Sequence, residues 1–201
     1  MNMEEDPMPE DRTGKQPTVA PAQCDDVDRP RFAGMDHVAL TVTHLDISQR
    51  FYTQVLDFVV VMNVLGTGRI CMHPQTGFVL ALLTHDEGDG APFSELNVGT
   101  DHLGFSATSR EELQAWEARF KAYEVPHTPI RDELFASHLS FRDPDNIALE
   151  FSSSNDLMLA ARGALSSGST SAADIAAFIA KNVGPDFVAS AQWAARPGHG
   201  V

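Results

Sequence analysis

Asp36-His37-Val38-Ala39-Leu40-Thr41-Val42-Thr43 returns later in the chain as Asp101-His102-Leu103-Gly104-Phe105-Ser106-Ala107-Thr108. Both octets alternate apolar with small or polar residues, the period of a strand that buries one face. Each runs into a helical pattern. Ile47, Phe51 and Val55 share one face of the first helix, and Leu113, Trp116, Phe120 and Tyr123 share one face of the second. Phe51 and Trp116 stand at the same offset as the octets themselves. Ser109 with Glu112 spells a capping box at the second helix start, and Asp46 offers a weaker N-terminal cap to the first. A match of this kind means one supersecondary unit used twice.

Three more strand candidates complete each unit: 57–63, 69–73 and 77–84, then about 127–131, 136–142 and 146–152. The closing strands correspond, Gly77-Phe78-Val79-Leu80-Ala81-Leu82 lying over Asn146-Ile147-Ala148-Leu149-Glu150-Phe151, each after a Pro-containing turn. The expected fold is therefore α+β, two βαβββ modules occupying residues 33–153. Residues 1–32 are acidic and Pro-rich with few large apolar side chains, which reads as a disordered tail. Residues 154–201 are rich in Ala, Ser and Gly and read as a partly helical extension. Its helices are expected near 155–165 and 172–183, the second capped by Ser171 and stopped by Gly184-Pro185, with the last ten residues loose.

Among 201 residues, 28 are acidic and 14 basic, a formal charge of -14. Such a surface repels nucleic acid and anionic lipid, so neither is expected as a partner. No apolar run approaches the ~18 residues of a bilayer span, and Met1-Asn2-Met3-Glu4-Glu5-Asp6 lacks the basic and apolar regions of a signal peptide. A cytoplasmic location is the expectation. Cys24 and Cys71 make neither a disulfide framework nor a zinc-type cluster.

Alternate side chains of a strand point to opposite faces. One parity holds Val38, Leu40, Val42, Leu80, Leu82, Leu103, Phe105, Leu139, Phe141, Leu149 and Phe151, a core layer beneath two helices. The other holds His37, Ala39, His102, Gly104, Ala81, His85, His138, Ser140 and Glu150. Small residues around histidines and one carboxylate suit a wet concave cavity better than a packed interior. Related by the repeat, His37 and His102 are equivalent, and Glu150 is equivalent to Ala81. Two imidazoles and one carboxylate would bind a divalent ion, Fe, Mn, Co, Ni or Zn, with coordination sites left open. His85 and His138 are candidates for proton transfer beside it.

These residues resemble the vicinal oxygen chelate superfamily, which includes glyoxalases, fosfomycin-resistance proteins, extradiol dioxygenases and bleomycin-binding proteins. The resemblance spans about residues 33 to 153. It is strongest at Met35-Asp36-His37-Val38-Ala39-Leu40, Phe51-Tyr52, Leu56-Asp57-Phe58, Asp101-His102-Leu103, and Phe141-Arg142-Asp143-Pro144-Asp145-Asn146 running into Leu149-Glu150-Phe151. It implies metal ligation by His37, His102 and Glu150. Ala81 stands where glyoxalases of the superfamily carry a glutamate and related epimerases a glutamine, so a three-ligand site is implied. Ala39 replaces a threonine of the fosfomycin-modifying relatives. His85 is suitably placed for the further histidine of extradiol dioxygenases, whose active-site tyrosine is replaced by Ser140.

The expected function is metal-dependent chemistry on a small oxygen-chelating metabolite, of dioxygenase or of lyase and isomerase type. The alternative is a small-molecule or drug-binding protein without turnover, like the bleomycin-binding relatives. The resemblance further implies a homodimer, in which sites of relatives are often completed by modules exchanged between subunits.

Overall fold

The computed structural model describes residues 33–88, 90–166 and 171–183. The chain divides into two units, Met1–Gly34 and Met35–Val201, and every element named below lies in the second. The expected disorder of 1–32, the stop at Gly184-Pro185 and the loose last ten residues lie outside the described residues.

The first module runs β1 (His37–Thr41), α1 (Leu45–Gln54), β2 (Val59–Val64), β3 (Gly68–Met72) and β4 (Val79–Leu83). The second runs β5 (Leu103–Ser106), α2 (Arg110–Ala122), β6 (Arg131–Asp132), β7 (Ala136–Arg142) and β8 (Ala148–Ser154). Helices α3 (Asp156–Ser166) and α4 (Ala172–Val183) follow, with α3 packed on β8. Each module forms a four-stranded sheet of one topology, β1-β4-β3-β2 and β5-β8-β7-β6, with the first and last strands of the module parallel. Among the described residues no helix is long and apolar enough to cross a membrane.

The expected parity holds. Leu80, Leu82, Leu139, Phe141 and Leu149 are buried, Val38, Leu40, Leu103 and Phe105 pack on them, and one cluster joins both modules. Aromatic rings knit it: Trp116 stacks on Phe151 at 4.4 Å, and Phe78 meets Phe105 across the modules at 6.1 Å. Cys71 lies wholly inside this core, where burial raises its thiol pKa.

The modules are also tied by polar contacts between distant parts of the sequence. Tyr52 of α1 donates to Asp143 Oδ2 at 2.9 Å, and Asp145 accepts from the Thr43 amide, the Thr43 hydroxyl and Ser48. Arg119 of α2 donates to the carbonyls of Gln54 and Val55 at the end of α1, where free carbonyls need donors.

Two local expectations need correction. Asp46 does not cap α1. His44 holds the N-cap position without a side-chain bond, while Asp46 lies in the first turn, 3.5 Å from Arg69. It is Asp145 of the other module that secures the turn entering α1. The strand expected at 127–131 is reduced to an isolated bridge, His127 to Phe141, and the two residues of β6. Pro126 and Pro129 lack the amide donors that a continuous ladder needs. At α2 the capping box forms: Ser109 accepts from the Glu112 amide, and the Glu112 carboxylate returns to Thr108.

Candidate metal centre

Register fixes which residues share the open face of each sheet, because paired residues point the same way. In the second sheet Glu150 pairs with Gly104 on one side and Ser140 on the other. Ser152 pairs with Ser106 and His138, and His138 pairs with Arg131. In the first sheet Ala81 pairs with Ala39 as Glu150 pairs with Gly104, so Ala81 and Glu150 are equivalent positions. The turns before them agree: Gly77 and Asn146, equivalent in the repeat, both take positive φ, at 70° and 64°.

His102 and Glu150 line one cavity of about 200 Å³, together with Asp101, Arg131, Ser140 and Arg142. His102 immediately precedes β5, and its Nδ1 lies 2.7 Å from the Asp101 carboxylate. His37 opens β1 with the same device, its Nδ1 2.8 Å from Asp36. A carboxylate holding Nδ1–H leaves Nε2 as the ligating nitrogen and fixes the ring, the arrangement found behind metal-bound histidines. His37 is exposed and does not line the cavity of His102 and Glu150. Among the described residues, no three His, Cys, Asp or Glu side chains of one chain stand together as a metal-holding group.

Glu150 is held from both sides, with Oε1 2.8 Å from His138 Nδ1 and Oε2 accepting from Ser140 at 3.5 Å. Burial pushes its carboxyl up. The His138 hydrogen bond and the charges of His138, His102 and Arg131 together hold it below the usual glutamate range. The same bond raises the pKa of His138 against its own burial. His138 is thus the histidine that orients the carboxylate. His85 lies two residues beyond the end of β4, exposed on a turn, and is not part of this cavity.

Arg142, the last residue of β7, forms an ion pair, with its two terminal nitrogens 2.8 and 3.1 Å from Glu95. Arg131 was not legible as a cavity residue. Its place depends on pairing with His138 across an edge whose strand pattern the prolines interrupt. The only available signal was a cation inside a stretch that otherwise alternates as a strand.

Two βαβββ modules with one shared core, each sheet leaving its other face open, define the class: a paired-module α+β protein. The Glyoxalase/Bleomycin resistance protein/Dioxygenase superfamily model matches residues 34–151, and the chain belongs to that superfamily. A glyoxylase/bleomycin resistance protein/dioxygenase domain from Frankia sp. EAN1pec is 37% identical, aligned over 62% of this chain and 100% of that one, with TM-score 0.58. Lactoylglutathione lyase from Agrobacterium tumefaciens is 22% identical over 62% of this chain and 96% of its own, with TM-score 0.50. A mutant fosfomycin resistance protein FosX from Listeria monocytogenes, solved with Mn(II) and 1S,2S-dihydroxypropylphosphonic acid, is 18% identical. It aligns over 66% of this chain and 99% of its own, with TM-score 0.51. The last two share the fold.

Proposed function

We propose that the protein is a metal-dependent enzyme acting on a small oxygen-chelating metabolite, with the ion held by His102 and Glu150 of one chain and His37 of a second copy in a homodimer. The observation that carries this reading is the repeated Asp-His pair. Two equivalent imidazoles are each braced at Nδ1 by the preceding carboxylate, and one of them shares a cavity with the closing-strand glutamate. Imidazole nitrogen and carboxylate oxygen together suit Mn, Fe, Co, Ni or Zn. When bound, such an ion supplies Lewis acidity toward a chelated oxyanion.

The chain's own residues supply the remainder. Asp36 and Asp101 fix the ring orientation of the two imidazoles. His138 and Ser140 hold the Glu150 carboxylate in place, and His138 is positioned to hold or move a proton at that edge of the cavity. His85, exposed and outside the cavity, has no comparable support for that task. Cytoplasmic location is part of the same reading, and the free thiol of buried Cys71 is compatible with it.

Purified protein stripped of metal and refilled with Mn(II) is expected to take up close to one ion per chain, and His102→Ala to lose it. Normal uptake by a folded His102→Ala variant would contradict the site. A second reading, ligand sequestration without turnover, draws on the full engagement of Glu150 by His138 and Ser140 within one chain. It is favoured if small-molecule binding is unchanged after the metal is removed.

A further inference from the structure

The ionic groups lining the cavity pair off, with one exception. Glu95 holds Arg142 at 2.8 Å, Asp101 holds His102 at 2.7 Å, and Glu150 holds His138 at 2.8 Å. Arg131 has no carboxylate partner among the described residues. Its Nη2 donates to Ser140 Oγ at 3.3 Å, and its Nε is buried without any hydrogen-bond partner. Nε and Nη2 form one edge of the guanidinium. That is the edge which Arg110, elsewhere on the same chain, presents to both oxygens of Asp132 at 2.8 and 3.0 Å. A guanidinium edge beside a cavity, with its Nε unmatched and its Nη2 bonded only to a neutral hydroxyl, is a receptor for a planar oxyanion.

The first sheet offers a different wall. Val79, Met72 and Val59 pair in succession across it in register with His37, so all three share the open face of that histidine. The next row, Ala39, Ala81, Ile70 and Met62, continues the apolar surface. Val59, Met62 and Met72 keep 53%, 60% and 38% of their surface exposed. Strands lie ~4.8 Å apart, so the row from His37 to Val59 extends for ~14 Å. An ion shared by His37, His102 and Glu150 would lie between this apolar wall and the polar wall that bears Arg131.

We infer that the site takes a small organic acid with an aryl or branched alkyl group, its carboxylate on Arg131 and its apolar part on the wall of Val59, Ile70, Met62 and Met72. This inference rests on the proposed metal site and adds the class of its ligand. The cavity of one chain, about 200 Å³, is below the ~300–1,000 Å³ of pockets for drug-sized molecules, which suits a small acid. A 2-hydroxy acid supplies the adjacent oxygen pair and leaves a carboxylate oxygen for the guanidinium edge.

The test is calorimetric titration of Mn(II)-loaded protein with three probes. Mandelate has the oxygen pair, carboxylate and ring, lactate lacks the ring, and 1-phenyl-1,2-ethanediol lacks the carboxylate. Mandelate is expected to bind at least ~10-fold tighter than either of the others, a difference well within what one charge-assisted pair or one buried ring supplies. Arg131→Gln should bring mandelate down to the level of the diol while leaving diol affinity and Mn(II) content unchanged, and Arg131→Lys should restore part of the loss. Met72→Ser should weaken mandelate and leave lactate unchanged. Equal binding of the three probes by protein with normal Mn(II) content, or full mandelate affinity in Arg131→Gln, overturns the inference and leaves the metal site standing. Failure to take up Mn(II) overturns both.

Discussion

The two sheets are built alike and finished differently. Each buries one face of leucine and phenylalanine in a common core, and each opens its other face outward. On the first sheet that open face is apolar around a single histidine, with Val59, Met62, Ile70, Met72 and Val79 beside His37. On the second it is polar, with His102, Glu150, His138, Ser140, Ser152 and Arg131. Side chains of the core must satisfy packing in both copies of the repeat and so stay alike, whereas open-face residues are free to diverge. The division of candidate ligands follows: the second module holds two in one cavity, and the first holds one against an apolar surface.

The sharpest break in that comparison is at the equivalent positions Glu150 and Ala81. Glu150→Ala should abolish Mn(II) uptake, while Ala81→Ser leaves it intact, both read by elemental analysis of folded protein. Loss of the ion in Ala81→Ser and its retention in Glu150→Ala would reverse the assignment of the two walls.

The turns before the closing strands differ as well. In the first module the turn is local: His73 meets Thr76, and Thr76 accepts from the Phe78 amide. In the second, Asp143 and Asp145 reach into the other module. Burial raises Asp143 from its ordinary value of 3.8 to about 6, against the hydrogen bonds it accepts from Ile147, Tyr52 and Asp145. Because the folded pKa is above the unfolded one, the stability linked to this proton is present below pH ~4 and is lost as pH rises through about 6. Relative to Asp143→Asn, the wild type should lose up to about 3 kcal/mol of unfolding free energy across that window and run parallel above it. Urea titrations at intervals from pH 4 to 7 measure this, and a constant difference between the two proteins would contradict it.

If the Asp-His pairs are equivalent, Asp36→Ala and Asp101→Ala should weaken Mn(II) binding by similar factors, about 10–100-fold each. An effect confined to Asp101 would mean that His37 is not a ligand. The smallest contrast is at the helix starts. Ser109→Ala should cost about 1 kcal/mol through loss of its bond to the Glu112 amide, whereas His44→Ala, with no side-chain cap bond to lose, should leave thermal stability within measurement error.

The octets, their helices and the buried parity were legible because they are local and periodic, and the repeat displayed them twice. The Ser109 box was legible for the same reason. Asp145 was not recognisable as the anchor of α1, since its partners Thr43 and Ser48 are about a hundred positions away and meet it only after the modules dock. The stretch at 127–131 alternates like a strand, yet Pro126 and Pro129 limit its pairing. In the site, periodicity identified the face that carries His37, His102, His138 and Glu150. It could not supply the pairing of Glu150 with His138 or the unmatched edge of Arg131, which arise from register between strands.

Sharing of the ion between copies is tested most directly by mixing two variants, each defective alone. His37→Ala and Glu150→Ala are combined, unfolded and refolded together, and assayed for bound Mn(II). If His37 of one chain completes the site of another, each mixed dimer regains one intact site, and about a quarter of wild-type metal content returns under random pairing. Metal content remaining at the level of the separate variants, with mixed dimers demonstrably formed, would contradict the account.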